Sequence, residues 1–279
     1  MRPRSLVFTL FGDYFRYCGD GEVPLRGLSD VMQLFDVEPA TTRVVMSRLR
    51  AEGWFETRRD GRLTTYVLSP KAWSLLDEGR ERIFRHIVGD WTGDWTLIAT
   101  RAGDRAARDE VRKRLTWLGF GQLQPAIWVA PGDRLAAARD LMSAHGVDSD
   151  VFVSRSGDLE RDRAIAARGW DLEALDQLYG SFVDRHDTSQ PVAADDDALV
   201  RRVHLTDDYR RFPFTDPDLP AVLLPEGWNG PRAHEVFVRR HGDLRDRATA
   251  AVQRLTGLTV RGAHRVFIDA GTVGFRRDE

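Results

Sequence analysis

Two short runs rich in aromatic and β-branched residues, Trp54 to Arg58 and Arg62 to Leu68, meet across Asp60-Gly61, a pair that closes tight hairpins because glycine reaches positive φ without steric cost. Directly upstream, apolar residues recur at helical spacing in Leu6 to Tyr17 and in Leu25 to Phe35, and a third segment runs from Pro39 to Glu52, where Gly53 can end it. Three helices followed by a two-stranded hairpin predict a winged helix-turn-helix, whose third helix enters a DNA major groove.

That third helix has two usable faces. At about 100° per residue, Thr42, Val45, Met46 and Leu49 group on one side, and Ala40, Val44, Ser47 and Ala51 lie opposite, with Thr41, Arg43 and Arg48 on their flanks. The second face is small and polar, which permits close approach to base edges. There arginine bonds guanine bidentately, and Val44 meets a thymine methyl. In the hairpin, Arg58, Arg59 and Arg62 surround the turn, within reach of phosphate oxygens or a neighbouring minor groove. Charge supports the location only locally. The chain has 41 basic and 43 acidic residues, net −2, and only Lys71 and Lys113 are lysines. An arginine bias therefore runs throughout and marks no face by itself.

Beyond residue 88 the pattern changes. A strand at Thr96 to Thr100, a helix from Asp104 to Leu118, one or two strands in 121–131, a helix from Asp133 to Ala144 and a strand at Asp150 to Ser154 give a βαββαβ order, the ferredoxin-like arrangement. The remainder is mainly helical, with candidates at Asp171 to Val183, Asp197 to Phe212 and Ala233 to Leu255, interrupted by the proline-rich stretch 216–231. Asp187 to Asp197 is a polar, acidic linker or exposed turn. The expected class is α+β in three parts: an N-terminal winged helix-turn-helix (1–88), a central ferredoxin-like domain (89–170) and a mainly helical C-terminal domain (171–279).

Three blocks carry a family resemblance. TTRVVMSRLRAEGWFETRRDGRLTTYVLS (41–69), WTGDWTLIATRAGDRAARDEVRKRLTWLGFGQLQPAIWVAP (91–131) and DYRRFPFTDPDLPAVLLPEGWNGPRA (208–233) resemble, in order and over nearly the whole chain, the PaaX-type regulators that repress phenylacetate degradation. The resemblance implies recognition-helix contacts at Thr41, Thr42, Arg43, Ser47 and Arg48, and a wing contact at Arg62. It implies a central domain similar to CRISPR-associated nuclease subunits that serves homodimerisation, a palindromic operator in double-stranded DNA, and an acyl-CoA effector of the phenylacetyl-CoA kind. Arginines would hold the effector's phosphates and an aromatic or apolar slot its acyl group; Arg210, Arg211 and Trp228 are the candidates. Arg48 has a second reading, pairing with Glu52 one turn on. One departure is Arg101-Ala-Gly-Asp104, where the family commonly shows an Ile-Pro-Glu type turn.

Other classes fare worse. A metal nuclease needs carboxylates near the end of the first central strand, and residues 99 to 101 are Ala, Thr and Arg. His204, Asp207, Asp208, His234, Glu235, His241 and Asp243 match no compact ligand pattern. No catalytic residue, metal or cofactor is therefore expected; the alternative is an acyl-CoA-binding enzyme or vestigial nuclease that uses the winged domain as a scaffold. The single Cys18 excludes an internal disulfide framework, and no stretch approaches 18 uninterrupted apolar residues. A cytoplasmic protein without a membrane span is expected.

Overall fold

The structure is a computed structural model that describes residues 1–84, 91–101, 105–188, 190–261, 265–269 and 272–276. The chain divides into two compact units, 1–86 with 182–211 and 232–279, and 87–181 with 212–231. The expected helix cap at Asp104 and the rest of the departing turn, 102–104, lie outside the described residues.

The first unit opens with α1 (Pro3–Asp13), β1 (Glu22–Pro24), α2 (Leu25–Gln33), α3 (Pro39–Ala51), β2 (Phe55–Asp60), β3 (Leu63–Leu68) and α4 (Pro70–Phe84). The three strands pair antiparallel in the order β1-β3-β2. The hairpin register pairs Asp60 with Leu63, so the turn is Gly61-Arg62 rather than the expected Asp60-Gly61. Gly61 has φ +55° and takes the first central position, where a II′-type hairpin needs glycine. This shift puts Arg62 in the turn itself. The helix α4 was not expected, although Ser69 accepts a hydrogen bond from the Ala72 backbone N–H and Pro70 follows it, an N-cap with proline at the first helical position.

In the second unit, β4 (Trp95–Thr100), α5 (Arg105–Trp117), β5 (Gly121–Gln124), β6 (Ile127–Pro131), α6 (Leu135–Ala144) and β7 (Ser149–Ser154) form an antiparallel sheet in the order β5-β6-β4-β7. Alternation along the strands splits the burial. Ile98 and Trp128 cluster with Val111, Leu115 and Met142 of α5 and α6, while Trp95 and Val129 join Ala166, Leu219 and Leu223. The second cluster depends on α7 (Leu159–Gly169), which sequence reasoning missed. Its buried Asp162 accepts the indole N–H of Trp95 at 2.7 Å and of Trp91 at 3.3 Å. These hydrogen bonds add to the apolar contacts of Ile165 and Ala166 in the same cluster.

Helix α8 (Leu172–His186) starts in the second unit and ends in the first, followed by α9 (Asp195–Tyr209), α10 (Gly230–Asp243), α11 (Arg245–Thr256), β8 (Arg265–Asp269) and β9 (Thr272–Arg276), the last two paired antiparallel. The acidic stretch is linker only in part, because Asp195, Asp196 and Asp197 form the first turn of α9, where negative charge suits the helix dipole. The single helix expected from Ala233 to Leu255 is two helices that meet at the buried Leu244. In packing, these helices join the amino-terminal elements. Leu199 and Val203 of α9 and Ala248 and Val252 of α11 share one core with Leu10, Leu28, Met32, Met46 and Leu49.

A buried polar cluster fastens α1 to this helical layer. The Asp13 carboxylate accepts the Thr206 hydroxyl at 2.9 Å and lies 3.9 Å from the Arg202 guanidinium and 3.7 Å from His241 Nε2. Burial by itself would raise the Asp13 pKa, but the His241 and Thr206 donors and the Arg202 charge outweigh it and hold it at about 2. Burial and the Arg202 charge push His241 down to about 4, against the opposing pull of Asp13. A histidine whose pKa falls on folding contributes stability that is complete above its unfolded pKa and is lost as pH drops through the folded value. Thermal melts should therefore weaken between about pH 6.5 and pH 4, by roughly 3 kcal/mol from His241. A His241→Gln variant should show a flatter profile across that interval; an equally steep one would remove His241 from the account.

Candidate nucleic-acid interface

Helix α3 is set by its two ends. Before it, Asp36 takes a left-handed conformation at φ 59° in the turn after α2, and Pro39 supplies the first helical residue. After it, Gly53 at φ +78° lets its own N–H reach Arg50 O while the Trp54 N–H reaches Leu49 O, the paired bonds of a Schellman cap. Thr42, Met46 and Leu49 are buried and Val45 half-buried, whereas Thr41, Arg43, Val44, Ser47 and Arg48 are exposed. Val44 is 50% exposed.

Thr42 is a correction. It is fully buried and its hydroxyl donates to the Glu38 carbonyl at 3.3 Å, so it steadies the first turn of α3 and presents nothing outward. Helical spacing had already put it on the inward side; its place among DNA contacts came from the resemblance alone. The second reading of Arg48 also falls away. Glu52 is held instead by Arg4 at 2.6 Å and by the Trp54 indole N–H at 3.0 Å.

The hairpin adds two arginines and withholds one. Arg58 is exposed but bonds Glu22 at 2.9 Å and Asp20 at 3.2 Å, so its charge is largely matched within the fold. Among the described residues, no ion pair or hydrogen bond engages the Arg59 or Arg62 side chain, and the same holds for Arg43, Arg48 and Arg50 on α3. Arg50 is the residue that sequence reasoning missed. It lies seven positions after Arg43, which returns it to the same helix stripe, and that spacing was available from the sequence. Arg50 of α3 and Arg59 of β2 both act on the Tyr66 hydroxyl, whose pKa burial raises and these two charges pull back. Arg50 and Arg59 thus face the same ring. Arg43, Arg48 and Arg50 are exposed on α3, and Arg59 and Arg62 are exposed on the hairpin.

The candidate effector residues divide between the two units. Arg210 and Arg211 both turn to the buried Asp207, at 2.9 and 3.2 Å, and Arg210 also bonds Ser5. Trp228 belongs to the other unit, packed edge-on to Tyr179 beside the Leu219 and Leu223 cluster. Arg210 and Arg211 thus make ion pairs within their unit, and Trp228 packs within its own. Of the other polar residues of the C-terminal part, Asp208 is engaged by Arg185 and His186, and His234 by the Tyr209 hydroxyl. Among the described residues, no group of His, Cys, Asp or Glu is arranged to hold a metal ion, and no helix is long and apolar enough to cross a membrane.

Fold and surface define an α+β chain with an arginine-bearing helix and hairpin in one unit and a four-stranded antiparallel sheet in the other. Residues 2–72 match the PaaX-like protein family, residues 88–166 the PaaX protein central Cas2-like domain, and residues 170–254 the PaaX-like protein C-terminal domain. The transcriptional repressor PaaX of Escherichia coli K12 is 30% identical over 260 residues, which cover 89% of this chain and 82% of that one. The chain belongs to the PaaX-like protein family. Among solved structures, the uncharacterized protein Rv0674 from Mycobacterium tuberculosis aligns with a TM-score of 0.60 at 21% identity, over 81% of this chain and 90% of that one. That likeness speaks to the fold alone.

Proposed function

We propose that the protein is a DNA-binding transcriptional repressor of an aromatic-acid operon of the phenylacetate type, a regulator rather than an enzyme. The observation that carries this is the set of exposed arginines, Arg43, Arg48, Arg50, Arg59 and Arg62, whose side chains make no ion pair or hydrogen bond among the described residues. The repressor function of the Escherichia coli relative supports the same reading. In it, α1 to α3 with β2 and β3 act as a winged helix-turn-helix, α3 lies in the major groove, and the hairpin arginines hold phosphates.

The central sheet, with the β5-β6-β4-β7 order of a ferredoxin-like fold, serves as the dimer element. Two copies then place two α3 helices on successive major grooves, about 34 to 36 Å apart along the duplex or a multiple of that. The operator is correspondingly an inverted repeat. An acyl-CoA thioester releases it by preferring a dimer whose helix spacing no longer fits, because a ligand indifferent to the two states shifts nothing.

Fluorescence anisotropy on upstream DNA fragments with rising salt tests the electrostatic part. Replacing Arg59 or Arg62 with alanine should weaken binding to all sequences alike and reduce the salt slope by about one per lost phosphate contact. An unchanged slope in both variants would remove the hairpin from the interface. Adding phenylacetyl-CoA to the parent complex tests release, and a complex that persists at saturating thioester would exclude that effector.

A further inference from the structure

Within the first unit, α8, α9 and α10 line an open pocket of about 290 Å³. Its cationic side is formed by Arg185, Arg201 and Arg240, and its apolar side by Val200, Leu205 and Leu244. Leu205 and Leu244 are buried, and no carboxylate is among the lining residues. The guanidinium groups are fixed from behind. Asp208 holds Arg185 at 2.7 Å, Asp197 holds Arg201 at 2.8 Å, and Asp243 lies 3.7 Å from Arg240. Each guanidinium has five N–H donors, so a single carboxylate partner leaves donors for another acceptor while restricting the side chain's motion. Charge recognition next to a preformed apolar wall is the usual build of a small-molecule site.

We infer that this pocket binds a small organic oxyanion, its charged group against Arg185, Arg201 and Arg240 and its apolar body over Val200, Leu205 and Leu244, and that occupancy regulates DNA binding through α9. Size sets the class. A volume at the lower end of the range for drug-sized ligands, roughly 300 to 1,000 Å³, suits an aryl or short alkyl acid and not a whole coenzyme A thioester. The site is assigned to the small acid, apart from any thioester effector.

Helix α9 supplies the coupling because it is used on two faces. Val200, Arg201, His204 and Leu205 line the pocket, whereas Arg202 and Thr206 engage Asp13 of α1, and Asp207 accepts the Ser5 hydroxyl of the same helix at 3.0 Å. A ligand that draws α9 toward the pocket pulls on the contacts that seat α1, which shares its core with α3. The regulatory half of this inference rests on the repressor reading; the binding half does not.

The test is isothermal titration of the full-length protein with phenylacetate, phenyl phosphate and phenylacetyl-CoA, on the parent and on Val200→Phe and Arg201→Gln, each first shown to melt as the parent does. Expected is one-to-one binding of the carboxylate or the phosphate, weakened tenfold or more in both variants, with the tighter of the two naming the oxyanion. Phenylacetyl-CoA titration should be unaffected by Val200→Phe. Binding of neither small anion to the parent, or undiminished binding in both variants, would overturn the site. Operator binding of the same preparations, measured by anisotropy without ligand, separates the two readings. If the parent binds no operator while the anion titration succeeds, the repressor reading fails and the site stands; if Val200→Phe binds operator as the parent does but no longer responds to the anion, both stand.

Discussion

Arg43→Ala should weaken operator binding by about 1 to 3 kcal/mol, roughly five- to 150-fold, and relax the preference at one base pair of each half-site. The expectation follows from where the residue stands. Arg43 is exposed on α3, bears no internal ion pair, and flanks the Ala40, Val44, Ser47 and Ala51 face that permits close approach. A bidentate contact to guanine loses both hydrogen bonds on truncation, whereas a phosphate contact would lose affinity for every sequence equally. Anisotropy with the operator and with each single base-pair substitution separates these cases. Equal affinity of variant and parent on the operator, with unchanged base preferences, would take Arg43 out of the reading surface.

Arg202→Met should destabilise the first unit by about 3 kcal/mol, because the Asp13 carboxylate stays buried without its arginine charge and keeps only the Thr206 and His241 groups beside it. Arg202 is 2% exposed, donates to the His241 carbonyl at 3.0 Å and lies over the Tyr14 ring, so methionine keeps the stem's packing and removes only the charge and its hydrogen bonds. Urea unfolding followed by circular dichroism reads the loss as a lower midpoint. A second substitution, Asp13→Asn, should return part of it, since the orphaned charge is then gone. Additive losses in the double variant would show that Asp13 and Arg202 do not act as a pair.

Local patterning made much of the amino-terminal unit legible. Apolar spacing, Pro39 and Gly53 place α3 as Pro39–Ala51, within a residue of the expected helix. The hairpin was found but offset by one residue, because Asp60-Gly61 and Gly61-Arg62 are both acceptable turn pairs and only the pairing of Asp60 with Leu63 decides between them. Elements that rely on distant partners were harder to read. In α7, part of the anchorage comes from Asp162 accepting two tryptophan N–H groups, and no periodicity announces a hydrogen bond across 67 residues.

The break between α10 and α11 is similar. Apolar spacing continues through it, while packing turns the chain at Leu244 so that Ala248 and Val252 reach the amino-terminal core. At the candidate interface, type and spacing identified Arg43, Ser47 and Arg48 as outward residues, but the pairing of Arg58 with Glu22 and Asp20 depends on β1, a three-residue strand absent from the sequence reading. Arginine content alone could not place a binding pocket, since Arg210 and Arg211 are as cationic as Arg185 and Arg201 and each of the four bonds a carboxylate.

The most direct test of the central claim is a selection of fragments from a random duplex pool by the purified full-length protein at near-physiological salt. The account predicts enrichment of an inverted repeat whose half-sites are separated by one helical turn of DNA or a multiple of it. Recovery of no enriched sequence, with retention that depends only on salt, would contradict a sequence-reading repressor.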